Sequence, residues 1–331
     1  MDKNLTNKRI LKQGEKRYKY NFMKVYPSSS RIKKLRSPVV AIGNFDGVHL
    51  GHKKIFKEVI YKAKKIKGIS VVYTLYPPPS RVLHPKTAAP QMNTLKERLA
   101  LIQNQGIDVT VVEKFDQAFS QKTAEQFFQE IIVQNLKTKI LYVGYNFFFG
   151  KGRQGNTDLL KKLCKAAHIE LHIASPFKIK GQVVSSSKIR ALIQEGNVKK
   201  ASELLGRPTF LQGKVIRGKG RGKTLGVPTA NLQTHSELIP KEGVYATLAQ
   251  VRNALYPSVT NIGHAPTFSL KTPFTIETHI LDFHQNIYGK SLLIHFLHWL
   301  RPTQKFSSAL DLKKQIKKDI VLAKKHFIRA D

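Results

Sequence analysis

Cysteine is almost absent: Cys164 stands alone in 331 residues. A single thiol cannot build a disulfide scaffold or a cysteine-rich zinc site. Long apolar runs are missing too. No window approaches the roughly 18 uninterrupted apolar residues that a membrane-spanning helix needs. The N-terminus carries charge but no apolar stretch of the secretory kind. Acidic residues are scarce, 21 Asp and Glu against 57 Lys and Arg, which leaves a formal net charge of +36. With 41% hydrophobic and 9% aromatic residues the chain can still bury real cores, which excludes disorder throughout. At roughly 100–200 residues per domain, the length predicts two domains. The expected compartment is the cytoplasm.

Such a charge attracts phosphate in any context. The basic residues run along the whole chain and are densest in residues 1–36. No zinc finger, RNP-type aromatic motif or basic-region heptad accompanies them. Nucleic acid is therefore not a required partner, although weak nonspecific binding follows from the charge. Anionic small molecules fit it with fewer assumptions. Self-association is left open.

The first half alternates short apolar runs with helical patterns. Pro38–Ile42, Ile69–Tyr73, Val109–Val112 and Ile140–Val143 read as buried strands. Between them, Ile55, Phe56, Val59, Ile60, Ala63 and Ile66 recur at helical spacing, as do Phe127, Phe128, Ile131 and Ile132. This order predicts a parallel sheet covered on both faces, with ligands at the carboxyl ends of strands near the switch point. The second half reads as antiparallel strands, Val244–Val251, Ser258–Ile262, Phe274–Phe283 and Ser291–Leu300. Alternation over 275–280 puts Glu277 and His279 on one face. A closing helix carries Leu312, Ile316, Ile320, Ala323 and Phe327 as its apolar stripe, with Ser308 and Asp311 resembling a capping box. The boundary between the halves falls near Leu205–Pro208.

The sharpest local signal is Gly43-Asn44-Phe45-Asp46-Gly47-Val48-His49-Leu50-Gly51-His52, after a strand and opening a helix. Glycines let the backbone approach a phosphate, and a helix N-terminus adds donors and a positive dipole end. His49 and His52, three apart, share a face and can reach one anion. A metal pair or ordinary capping is the alternative; a zinc site would want a third ligand of obvious spacing, and none is evident. In the second half, Arg217-Gly218-Lys219-Gly220-Arg221-Gly222-Lys223-Thr224 invites a P-loop reading that fails, because arginine stands where the first glycine is needed. Gly226-Val227-Pro228-Thr229-Ala230-Asn231 follows it.

The first motif resembles the H-x-G-H signature of the nucleotidyltransferase superfamily. Val143–Gly150 with Arg153 and Gly155, and Ser185-Ser186-Ser187-Lys188-Ile189-Arg190, extend the likeness. Together with the Gly/Arg-rich loop and the P-T-A-N segment, they make the chain similar to the bacterial bifunctional riboflavin kinase/FAD synthetase family, from about Met23 to the C-terminus. The resemblance implies an α/β fold. An N-terminal Rossmann-like nucleotidyltransferase domain, with helices on both faces of a parallel sheet, spans 23–205. A C-terminal riboflavin kinase-like antiparallel β-barrel with its closing helix spans 206–331. Residues 1–22 are expected to be a poorly ordered basic extension.

The resemblance also implies roles. In the first module, Gly43, Asn44, Phe45, Asp46, Gly51, Ser186 and Ser187 would bind ATP and phosphate, with His49, His52 and Arg190 catalytic. Asn146 and Phe147 would meet the flavin. In the second, Gly218 and Lys223 would hold ATP phosphates, Thr229 and Asn231 would bind Mg-ATP, Glu277 ahead of Leu281-Asp282-Phe283 would be the catalytic carboxylate, and Arg301 would be the flavin-side flap arginine. Riboflavin, FMN, FAD and ATP with Mg²⁺ are the implied small molecules. Attack by the FMN phosphate needs no general base, whereas the riboflavin hydroxyl must lose a proton. Four positions depart from the family pattern: Pro78, Asn197, Ala265 and Thr303. The rival readings are a paralogue keeping one activity, and a flavin-responsive nucleic-acid-binding regulator.

Overall fold

The computed structural model describes residues 23–218, 226–264 and 274–328. The basic extension 1–22, Lys223 and Ala265 lie outside the described residues. The described residues divide into two compact units, one up to Ser186 and one from Ser187 onward.

The first unit is built on six strands: β1 (Lys24–Tyr26), β2 (Pro38–Ile42), β3 (Ile69–Tyr76), β4 (Val109–Lys114), β5 (Ile140–Gly144) and β6 (Glu170–Ala174). They lie in the order β1-β4-β3-β2-β5-β6, every ladder parallel. All five residues of β2 are buried, because alternate side chains feed two cores. Val40 and Ile42 meet Val71, Tyr73 and Val111 on one face, while Val39 and Ala41 meet Val72 and Phe56 on the other. Helix α1 (Leu50–Lys65) buries Phe56, Val59 and Ala63. Helix α2 (Leu95–Gln103) opens on a capping box between Thr94 and Glu97.

The pattern at Phe127–Ile132 differs from a regular α-helix. Helix α3 (Ala124–Phe127) passes into a π-helical stretch, Phe128–Asn135. The widened turns still keep Phe127, Phe128, Ile131 and Ile132 in one core. Strands β1 and β6 escaped the sequence pattern because they are short or carry polar and charged side chains.

A short antiparallel ribbon, β7 (Lys178–Ile179) and β8 (Gln182–Val183), ends the first unit. In the second unit, β9 (Thr209–Ile216), β10 (Ala230–Thr234), β11 (Gly243–Val251), β12 (Ala254–His264), β13 (Phe274–Ile280) and β14 (Ser291–Arg301) close a barrel in the order β10-β13-β12-β11-β14-β9. All of its ladders are antiparallel. Leu211, Val215, Tyr245, Ile276 and Phe296 fill the interior. A chain of buried hydroxyls accompanies them: Thr278 to Thr260 at 2.9 Å, Thr260 to Thr247 and Thr247 to Ser258 at 2.8 Å each. Strand β13 stops at Ile280, three residues short of expectation, where Asp282 turns with φ 53.

Helices α4 (Ser186–Gln194) and α5 (Val198–Leu205) precede the barrel. Val198 joins the barrel core, and the Lys241 N–H donates to the Ile193 carbonyl. Asn197 caps α5, its Oδ1 accepting from the Lys200 N–H at 3.4 Å, a task that aspartate and asparagine share. Helix α6 (Ala309–Ile328) lays Ile320, Ala323 and Phe327 over Val244, Ala246 and Val259. Its first turn is fixed by Ser308 Oγ, which accepts from the Asp311 N–H at 3.1 Å and donates to that carboxylate at 2.6 Å.

Candidate active sites

The winding of the parallel sheet reverses at β2, with β3 on one side and β5 on the other. The loops leaving the carboxyl ends of β2 and β5 therefore flank the switch point, where open α/β sheets hold their ligands. These are the Gly43–His52 loop and the Gly144–Gly150 loop.

The first loop is strained and closely packed. Phe45 and Val48 adopt positive φ, 51 and 42, a conformation costing about 1–3 kcal/mol for such residues and concentrated at functional sites. At Gly43 a Cβ would lie 3.0 Å from the Phe45 ring, so the ring would have to give way by a few tenths of an ångström. At Gly51 a Cβ would lie 3.2 Å from the His49 imidazole. His49 caps α1, with Nδ1 accepting from the His52 N–H at 3.3 Å. The two imidazoles stack with centroids 3.5 Å apart.

Capping and anion binding are compatible in His49. With Nδ1 accepting, the neutral ring carries its proton on Nε2 and can donate from there. Burial pushes the His49 pKa down to about 4. Burial, with His49 alongside, also holds His52 well below the usual histidine range. Both rings are neutral at neutral pH, so they offer N–H donors rather than charge. The Nδ1 of His52 is buried without a partner among the described residues.

Asp46 is buried, and both carboxylate oxygens accept from the Met92 N–H at 3.1 and 3.2 Å. Its backbone carbonyl accepts from Ser186 Oγ at 3.1 Å. Ser187 and Arg190 follow in the first turns of α4. Asn44 is gripped by Arg98, a fully buried residue of α2. Sequence patterning missed Arg98, because an arginine in an amphipathic helix reads as solvent-facing.

On the second loop, Asn146 is exposed and Phe147 stacks on Phe149 at 5.5 Å. Phe149 pairs with Gly155, where a Cβ would come within 2.7 Å of its ring. Arg153 lies 4.3 Å over Phe148. Pro78, the first departure, is buried and precedes the short helix Pro79–Leu83.

The barrel gathers its own predicted set. Asn231 and Glu277 are direct neighbours on β10 and β13, and Glu277 also faces Asn261 on β12. Gly218 approaches so closely that a Cβ would lie 2.2 Å from the Asn231 amide nitrogen. Thr229 sits next to Pro228, whose carbonyl lies 2.8 Å from His279 Nδ1. Arg301 ends β14 and is paired with Asp319 of α6 at 2.7 Å. Thr303 packs near Gly263, where a Cβ would lie 3.0 Å from its methyl group.

Two family models match. One, described as FAD synthetase, covers residues 31–188. The other, described as riboflavin kinase, covers residues 205–327. A bifunctional riboflavin kinase/FMN adenylyltransferase of Haemophilus influenzae is 34% identical over 294 residues, 88% of this chain and 95% of that protein. One of the same description from Bacillus subtilis is 37% identical over 301 residues, 87% and 92% of the two chains. A solved structure from Streptococcus pneumoniae, named a macrolide-efflux protein, superposes with a TM-score of 0.83 at 29% identity, covering 91% of this chain and 98% of that one. Neither family model assigns that role to this chain. Among the described residues no helix is long and apolar enough to cross a membrane. With both models matched in order, and relatives aligned over nearly their whole lengths, this chain belongs to the bifunctional riboflavin kinase/FMN adenylyltransferase family.

Proposed function

We propose that residues 206–331 phosphorylate riboflavin with ATP to give FMN, and that residues 23–205 transfer the adenylyl group of a second ATP to FMN, giving FAD and pyrophosphate. One observation supports the two-step reading: the neutral imidazoles of His49 and His52 stack at the switch point, and Asn231 and Glu277, an amide beside a carboxylate, are neighbours in the barrel.

In the kinase step Glu277 accepts the proton of the riboflavin 5′-hydroxyl as that oxygen bonds to the γ-phosphorus and ADP leaves. Thr229 and Asn231 offer hard oxygen donors, the kind magnesium takes beside phosphate oxygens. No group of three His, Cys, Asp or Glu among the described residues could hold a metal alone. Thr229 and Asn231 would therefore hold magnesium jointly with the ATP phosphates, whose charge it offsets. Gly218 and Lys223 serve the same phosphates, and Arg301 stands on the flavin side.

In the adenylyl step an oxygen of the ionised FMN phosphate attacks the α-phosphorus, and the bond to the β-phosphate breaks. No proton need be removed, so the residues supply position and donors. His49 and His52 donate as neutral imidazoles. Gly43, Gly51, Ser186 and Ser187 give close approach and hydrogen bonds, and Arg190 gives charge. Asn44, Phe45 and Asp46 shape the loop; Asn146 and Phe147 meet the flavin. We place the enzyme in the cytoplasm, working on small molecules, with nucleic acid not required.

The test is chromatographic. The purified chain with riboflavin, ATP and magnesium should yield FMN and then FAD, and FMN supplied directly should yield FAD. Absence of both products would overturn the reading, and absence of one would leave a single-activity paralogue.

A further inference from the structure

Arg98 is wholly buried, yet only one nitrogen of its guanidinium is used. Nη1 donates to the Asn44 carbonyl at 2.7 Å and to Asn44 Oδ1 at 2.8 Å. Nε and Nη2 have no hydrogen-bond partner among the described residues, and the charge of the buried Asp46 carboxylate favours the cation only from a distance. The group lies 5.7 Å over the Tyr76 ring. A buried cation with idle donors is a poor way to stabilise a fold, because an apolar side chain of similar volume is often as good or better. An arginine buried in this way points to a task other than stability.

The segment that carries Arg98 grips the first loop at two places. The Met92 N–H holds the Asp46 carboxylate at 3.1 and 3.2 Å, and Arg98 holds Asn44. The Thr94–Glu97 capping box fixes the helix start between these grips. Phe45 lies between the two held residues, with φ 51. Its ring meets His52 edge-on at 5.2 Å and packs on Phe56 at 4.8 Å. A residue in this conformation persists only when its neighbours over-determine it. Release of Asn44 would let Phe45 relax and would withdraw the ring against which His52 stands.

We infer that Arg98 is a positioning residue for adenylyl transfer: through Asn44 it holds Phe45 in its strained conformation, and Phe45 holds His52 in place. This rests on the assignment of the His49–His52 loop to that reaction. Arg98 itself need not touch ATP or FMN.

The test compares Arg98→Met, which fills the space without the fork, with Arg98→Lys. Both use the full-length chain, with its riboflavin kinase activity as an internal control. Arg98→Met should keep kinase activity and thermal midpoint, while kcat for FMN to FAD falls about 100-fold, the scale of an ångström-sized misplacement. KM for ATP and FMN should stay within about three-fold, and Arg98→Lys should recover part of the loss. In a His52→Ala background, Arg98→Met should cost less than about three-fold more. The inference is overturned if Arg98→Met retains kcat, if its loss lies in KM alone, or if the two losses simply multiply. If His52→Ala has wild-type FAD synthesis, the assignment of the loop fails and the inference falls with it. A loss confined to His52→Ala, with kcat retained in Arg98→Met, would overturn the inference and leave that assignment standing.

Discussion

Arg301 and Asp319 face each other through two parallel hydrogen bonds, Nε to Oδ1 at 2.8 Å and Nη2 to Oδ2 at 2.7 Å. Asp319 is also held by Gln315 Nε2 at 2.9 Å. Their side chains are 18% and 4% exposed, so the pair is largely shielded from water. The fork ties the end of β14 to α6. Removing one member of such a pair costs about 3–5 kcal/mol, chiefly by stranding the other charge. Asp319→Asn should therefore lower the melting temperature of the barrel and impair FMN formation. FAD formation from supplied FMN, measured at a temperature where the barrel variant stays folded, should be retained. Equal loss of both activities in the folded variant would show that the pair does more than organise the kinase.

Glu277→Gln keeps the shape of the side chain and removes the proposed base. Loss of a positioned proton acceptor lowers rates by about 10²–10⁴-fold. Riboflavin phosphorylation should fall by that factor while FMN adenylylation is unchanged, as read by chromatography of parallel reactions. A kinase rate within three-fold of wild type would remove Glu277 from the role.

Gly218→Ala tests the approach of the glycine-rich loop to Asn231. The added methyl carbon would lie 2.2 Å from the amide nitrogen, so the Asn231 side chain must turn away. The KM for ATP in the kinase reaction should rise roughly ten-fold, equivalent to about 1.4 kcal/mol. An unchanged KM would mean that Asn231 does not serve the nucleotide.

Acid should weaken the fold before carboxylates titrate. Burial lowers His49 and His295 to about 4 from 6.5. Between those values the unfolded chain binds more protons than the folded one, so stability rises with pH across that window and is lost as pH falls toward 4. Each site contributes on the order of 3 kcal/mol at most. Urea midpoints measured from pH 7 to 4 should fall, and His295→Gln should flatten the decline for the barrel. A flat wild-type profile would contradict the burial of these rings as neutral groups.

Local features were legible in the sequence and long-range ones were not. The strands β2, β3, β4 and β5 announced themselves because a parallel strand buried on both faces is nearly all apolar, as in Val39-Val40-Ala41-Ile42. The Gly43–His52 loop was legible because its glycines and histidines sit within ten consecutive positions. Strand β10, Ala230–Thr234, was not, since only Leu232 of its five residues is buried. Arg98 and Asp319 stayed hidden for a different reason. Each is charged, on a helix whose apolar spacing suggests an exposed polar face, and each finds its partner far along the chain, at Asn44 and Arg301. The pairing of Glu277 with Asn231 likewise follows from barrel closure rather than from any spacing in the sequence.

The four hydroxyls inside the barrel bear on that pairing. Thr278 sits opposite Thr260, and Thr247 opposite Ser258, so the chain of contacts closes in one alignment of β11, β12 and β13. Sliding β13 by one residue would turn Thr278 outward and bring Glu277 into the apolar interior. It would also strand buried hydroxyls at about 1–3 kcal/mol each. The polar rungs work as a vernier that admits one reading of the scale. The aim of the Glu277 carboxylate is thereby decided on the opposite side of its own strand, by groups that no substrate meets.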